Sequence, residues 1–118
     1  TNIYPEGCIR LLYKMKEDQI YIMNVYHSLH QEEFQSYLSP MVQGILKIKI
    51  EEEEGSMIIQ ESDKEFIARF YSYCIVGLLI DWLNDDMREN PERLFDKMNE
   101  IMHGCITRAL KRFEIHQN

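Results

Sequence analysis

FIARFYSYCIVGLLIDWL, residues 66–83, decides how the rest of the chain is read. At about 100° per residue, Phe66, Phe70, Tyr73, Cys74 and Gly77 fall on one side of a helix. Ile67, Tyr71, Leu78 and Trp82 lie on an adjoining arc, and Val76, Leu79, Ile80 and Leu83 close the ring on the far side. A helix apolar nearly all round must be buried nearly all round. A chain of 118 residues is too short to wrap such a helix from every side. The first expectation is that a second molecule covers part of it.

Composition bounds the rest. The length corresponds to one domain with a modest core, taken as residues 1–118. A hydrophobic share of 45% and a charged share of 28% belong to an ordinary globular class. A net charge of −7 argues against direct binding of nucleic acid or an anionic membrane by this segment. Cys8, Cys74 and Cys105 stand far apart and form no CxxC pair, which fits reduced thiols in the cytoplasm. The longest apolar run, residues 73–80, falls short of the roughly 20 residues of a membrane span.

On either side of the organising helix the pattern is helical. Ile9, Leu12, Tyr13 and Met15, then Ile20, Met23, Tyr26 or His27, and Leu29, give two short helices. With Asp18 as N-cap of the second, they read as an antiparallel hairpin. Phe34, Tyr37, Leu38, Met41, Ile45 and Ile48 form the stripe of a third helix with Pro40 inside it. LKIKIE, residues 46–51, alternates like a strand but continues that stripe, so it is read as helix. Glu51 to Glu54 put like charges at a helix C-terminus, where fraying is expected. Ser62 and Glu65 spell a capping box that launches the organising helix. A polar turn from Asn84 ends it, and Asn90, Pro91 and Glu92 open the last helix as N-cap, first position and first-turn acid. That helix carries Leu94, Met98, Ile101, Cys105 and Ala109 on one arc and Phe95, Met102, Ile106, Leu110 and Phe113 on the next. Two such helices joined by a short turn are a half-bundle, and a two-fold copy would complete four helices. The fold class is therefore all-α, about five helices, the last two long.

Catalytic and metal signals are weak. His27, His30 and Glu33 step by three, and Glu100 with His103 is one copy of a motif that needs two. No nucleophile elbow or phosphate-cradling loop is present in the sequence. Neither a resident metal nor a cofactor is expected, nor enzymatic activity.

The segment FIARFYSYCIVGLLIDWLNDDMRENPERLFDKM, residues 66–98, resembles the C-terminal domain of TetR-type transcriptional regulators. Gly77 within the apolar helix, Trp82 and Leu83 near its end, and Asn90, Pro91 and Glu92 after the turn carry the likeness. The subgroup that includes the activator of the dihydroxyacetone kinase operon is the most similar in pattern. The resemblance implies a homodimer whose last two helices form a four-helix interface, with the preceding helices enclosing an effector pocket. The seam is then expected to draw on Val76, Leu79, Ile80, Leu83, Met98, Met102, Cys105, Ile106, Ala109 and Phe113. The pocket, placed among the second to fourth helices, draws on Tyr21, Tyr26, His27, His30, Phe34, Tyr37, Met41, Tyr71 and Cys74. The family's helix-turn-helix has no counterpart in this sequence, so contact with operator DNA is expected only through an absent N-terminal domain. The partner is an unknown small-molecule effector or, alternatively, a protein co-regulator binding a helical domain that holds no small molecule. No membrane partner is expected.

Overall fold

The computed structural model describes residues 6–116. They form six α-helices: α1 (Glu6–Glu17), α2 (Gln19–Ser28), α3 (Gln31–Glu54), α4 (Glu61–Asn84), α5 (Pro91–Ile101) and α6 (Cys105–Phe113). Among the described residues there is no strand, as the helical periodicity predicts.

The frame is the pair α3 and α4, each 24 residues long. They run antiparallel: Val42 shares a small void with Ile75 and Leu79, whereas Ile50 lies beside Lys64. The buried residues of α3 are Phe34, Leu38, Val42, Leu46 and Ile50, a strict four-residue step. That stripe differs from the expected one: Tyr37, Met41 and Ile48 are exposed. A four-residue step drifts slowly around the helix, and this drift keeps α3 against the full length of α4. Across the pair lies α1, which buries Cys8, Leu12 and Met15. Gly7 brings its backbone close to α3, where an added Cβ would meet Ile45 at 3.4 Å. Phe95 and Met98 of α5 and Ile106 and Leu110 of α6 complete the core.

Several joints differ from expectation. The first two helices do not form a hairpin. Asp18 N–H donates to Lys14 O at 3.0 Å and Ile22 N–H to Asp18 O at 2.9 Å, so the ladder continues through one residue and the joint is a bend. Asp18 makes no side-chain cap; its carboxylate pairs with Lys14 at 3.4 Å. The acidic end of α3 is helical to Glu54. Glu53 pairs with Lys49 at 3.0 Å and accepts from the Thr107 hydroxyl at 2.8 Å; Glu54 pairs with Lys64 at 3.0 Å. The capping box is displaced: α4 begins at Glu61 with Gln60 at the cap position, leaving Ser62 inside the first turn.

The far end of α4 closes in a Schellman motif. Met87 N–H donates to Trp82 O at 2.8 Å and Asp86 N–H to Leu83 O at 3.0 Å. Both Asp86 (φ 57) and Met87 (φ 55) are left-handed, and Met87 is fully buried. Trp82 Nε1 donates to Glu89 O at 2.9 Å, pinning the turn. Asn90 then caps α5, accepting from the N–H groups of Glu92 and Arg93, with Pro91 at the first position, as expected. The last helix is broken. Gly104 (φ 73) adopts a left-handed conformation that a residue with a Cβ resists, and it separates α5 from α6.

The result is a slab of 56 × 28 × 17 Å, the short dimension being less than two helix diameters. Its radius of gyration of 15.5 Å exceeds the roughly 13.5 Å of a compact chain of this length.

Candidate functional site

The long helix α4 divides its circumference between two neighbourhoods. Ile67, Ala68, Ile75, Val76, Leu79, Ile80, Trp82 and Leu83 face the protein's own core. On the opposite side Phe66, Phe70, Tyr73, Cys74, Gly77 and Leu78 are open to solvent. Phe66, Phe70 and Tyr73 are 50%, 55% and 62% exposed, uncommon for aromatics in an ordered helix. Gly77 has nothing within 4 Å of the position its Cβ would take, so another backbone can approach closely there. A shallow hollow of about 190 Å³ continues this face onto α6, between Phe66, Phe70, Tyr71, Ala109 and Phe113.

The expected seam is therefore corrected in part. Val76, Leu79, Ile80, Leu83, Met98 and Ile106 are buried inside the chain by its own helices and have no side chain to offer a partner. Met102, Cys105, Ala109 and Phe113 remain partly or well exposed along α6 and the break before it. The sequence shows that α4 has two apolar arcs; which one meets α3 depends on where α3 and α6 lie.

Chemistry on this face is sparse. The Tyr71 hydroxyl donates to Cys105 O at 3.4 Å, and burial first, then the neighbouring Cys105 and Cys74, push its pKa up. Arg69 sits 5.3 Å over the Phe66 ring. All three cysteines are free; burial pushes the Cys8 thiol up to about 12, while Cys74 is exposed.

A second feature lies away from this hollow, on the first three helices. Between α1, α2 and α3 opens a cleft of about 240 Å³, lined by Leu11, Met15, Ile22, Phe34, Leu38 and Met41, with Tyr37, Lys14 and Asp18 also in its wall. Its lining is apolar apart from the Lys14–Asp18 pair and the Tyr37 hydroxyl. Two methionines in the wall are soft and adaptable.

The expected pocket residues separate. Phe34, Tyr37 and Met41 line the cleft. Tyr26 is buried behind it, edge-on to Phe34 at 5.2 Å, its hydroxyl donating to Asn84 Oδ1. Tyr21, His27 and His30 point outward and are exposed. Tyr71 and Cys74 belong to α4 and do not line the cleft, which α1, α2 and α3 enclose without α4. The residues missed are Leu11, Lys14, Met15, Asp18, Ile22 and Leu38. Their signal was present: Leu11, Met15, Asp18 and Ile22 are one continuous stripe at steps of four, three and four when α1 and α2 are read as a single bent rod. Reading them as a hairpin broke the stripe.

The wall of this cleft is tied to the end of α4. Lys16 Nζ donates to Met87 O at 2.7 Å and Gln19 Nε2 to Asp86 O at 2.9 Å. Among the described residues no three His, Cys, Asp or Glu side chains are grouped for a metal ion, and His27, His30 and Glu33 do not converge. By length and hydropathy alone α4 matches a membrane span, but half of that window is buried in the fold.

No curated protein and no solved structure matches this sequence. Residues 4–104 match the transcriptional regulator C-terminal region of the TetR type. That span holds α1 to α5, both apolar faces of α4 and the whole cleft. With an all-helical fold and a match over most of its length, this chain belongs to the non-enzymatic family of TetR-type transcriptional regulator C-terminal regions.

Proposed function

We propose that this chain is the dimerising and effector-sensing region of a cytoplasmic TetR-type regulator, acting on operator DNA through an N-terminal domain. The carrying observation is the division of α4: one face builds the core, and the other presents Phe66, Phe70 and Tyr73 half-exposed in a row. A second copy packed through α4 and α6 would cover these side chains and complete a four-helix arrangement.

The cleft between α1, α2 and α3 is the effector site of this reading. Burial of a small, mostly apolar molecule against Met15, Ile22, Phe34 and Leu38 supplies affinity, and Tyr37 and the Lys14–Asp18 pair supply polar contacts at the wall. The effector acts only through its difference in affinity between the states of the dimer. A second reading keeps the dimer but replaces the small molecule with a protein co-regulator, as the resemblance to the dihydroxyacetone kinase activator subgroup suggests. The observation favouring it is Ile20 and Tyr21 on α2, 82% and 69% exposed.

Sedimentation and methyl NMR test the proposal together. The chain is expected to sediment as a dimer at micromolar concentration, and Phe70→Glu as a helical monomer. Indole, as an apolar probe, is expected to shift the methyl signals of Met15 and Met41. A monomeric parent chain sinks the dimer reading. A dimer whose cleft methyls ignore indole but respond to a protein partner moves the conclusion to the second reading.

A further inference from the structure

We infer that the bend joining α1 to α2 is a two-sided transmitter, which carries occupancy of the cleft to the C-terminal end of α4. The inference rests on reading the cleft as an effector site and concerns how that site is coupled to the rest of the molecule.

The residues of the bend alternate in allegiance. Lys14, Met15, Asp18 and Ile22 line the cleft. Lys16 and Gln19, interleaved with them, reach Met87 O and Asp86 O, and Tyr26, one turn beyond Ile22 on α2, reaches Asn84 Oδ1. A body seated against Met15 and Ile22 therefore presses on the backbone that holds Lys16 and Gln19. That backbone is the place where the helical rod gives way: Asp18, at φ −96 and ψ 26, is the single non-helical residue between α1 and α2.

The far end of the grip is poised. Asp86 and Met87 are consecutive left-handed residues, neither of them glycine. Non-glycine residues leave this region readily unless their surroundings hold them. The two carbonyls gripped by Lys16 and Gln19 belong to these two residues. Electrostatics adds to the poise. Asp81, Asp85 and Asp86 crowd the negative end of the α4 dipole, and the Lys16 ammonium on Met87 O is the cation that the bend brings to that end. Loosening the grip lets the Schellman turn and the last turn of α4 open. Gly77 and Leu78, on the face assigned to the second copy, lie within two turns of that end.

Amide exchange by NMR tests this in the full chain. The reporter is the Met87 N–H, which donates to Trp82 O. The cleft is filled in two ways, by free indole and by Met41→Trp, which tethers an indole at the wall. In the parent background filling is expected to speed Met87 exchange at least fivefold. In the Lys16→Met, Gln19→Ala double variant exchange is already fast, and filling changes it less than twofold. Gln19→Ala alone, which removes one bond and no charge, is expected to fall between, and it serves if circular dichroism shows the double variant unfolded. An equal response in all backgrounds overturns the inference, as does no response in the parent while indole shows NOEs to Phe34. If neither indole enters the cleft, the effector-site reading fails first, by a visibly different result, and the coupling falls with it.

Discussion

Replacing Asp86 by glycine removes a carboxylate that pairs with Arg88 and should nevertheless stabilise the protein. The position is the left-handed residue of the Schellman motif that ends α4, with φ 57. Glycine is the usual occupant there because it has no Cβ to meet the carbonyl. For an ordinary residue the left-handed conformation costs roughly 1–2 kcal/mol; a short polar side chain such as Asp tolerates it better. Relief is thus taken as about 0.5 kcal/mol. The carboxylate also stands at the negative end of the helix dipole, and removing it is worth roughly 0.3–1 kcal/mol. Against this stands the Arg88 contact at 3.9 Å between two well-exposed groups, a kind of pair whose worth is about zero to a few tenths of a kcal/mol. The net expectation is a gain of about 1 kcal/mol. Asp86→Asn keeps the tolerance for left-handed backbone and loses only the charge, so it should gain about half as much. The assay is urea unfolding by circular dichroism at fixed protein concentration, since self-association would shift the midpoint. With a slope near 2 kcal/mol/M the glycine variant should move its midpoint up by about 0.5 M, and its melting temperature by roughly 4 °C. A glycine variant no more stable than the asparagine variant would falsify the left-handed assignment at this residue. One less stable than the parent would mean that the carboxylate has a stabilising partner.

Other perturbations follow from the core and its charges. Leu46→Ala, at a fully buried position between α3 and its neighbours, should cost about 3 kcal/mol in the same urea assay. Under native conditions iodoacetamide should label Cys74 and spare Cys8, whose thiol is buried and pushed up to about 12; the Cys74 rate should fall as protein concentration rises through the dimer range. The Glu53 carboxyl has its pKa lowered by Lys49 first and then by the Thr107 hydroxyl. A lowered folded value means a contribution present above the ordinary glutamate pKa of about 4 and lost as pH falls through the folded value. Glu53→Gln should therefore flatten the acid side of the stability profile, and an unchanged slope there would discount the Thr107 and Lys49 contacts.

The helical elements were legible because their signals are local. Asn90 and Pro91 name a helix start by their own chemistry, and α4 announces itself by the density of apolar residues from Phe66 to Leu83. What the sequence concealed were choices made by neighbours. Val76 and Leu79 are no less apolar than Phe66 and Phe70; only the positions of α3 and α6 decide that the former pair goes inside. The break at Gly104 carried a signal, since glycine is costly within a helix, but the apolar stripes run through it without interruption. Asp18 stands at the N-cap position of α2 as its chemistry suggests, but at φ −96 and ψ 26 it makes no side-chain cap and the chain continues as a bend. The hairpin expectation split the stripe of Leu11, Met15 and Ile22 between two helices, whereas the placement of the pocket toward α4 came from the family resemblance.

A slab only 17 Å thick leaves α4 with no idle side. Adjacent letters in its sequence, such as Cys74 and Ile75 or Leu78 and Leu79, divide the roles: the second of each pair builds the single chain, and the first is left for the proposed second copy. In a deep mutational library, charge should be rejected through misfolding at Ile75, Val76 and Leu79, and, if the proposed dimer forms, through failed assembly at Phe66, Phe70 and Tyr73, while Arg69 and Asp81, already charged and exposed, should tolerate exchange.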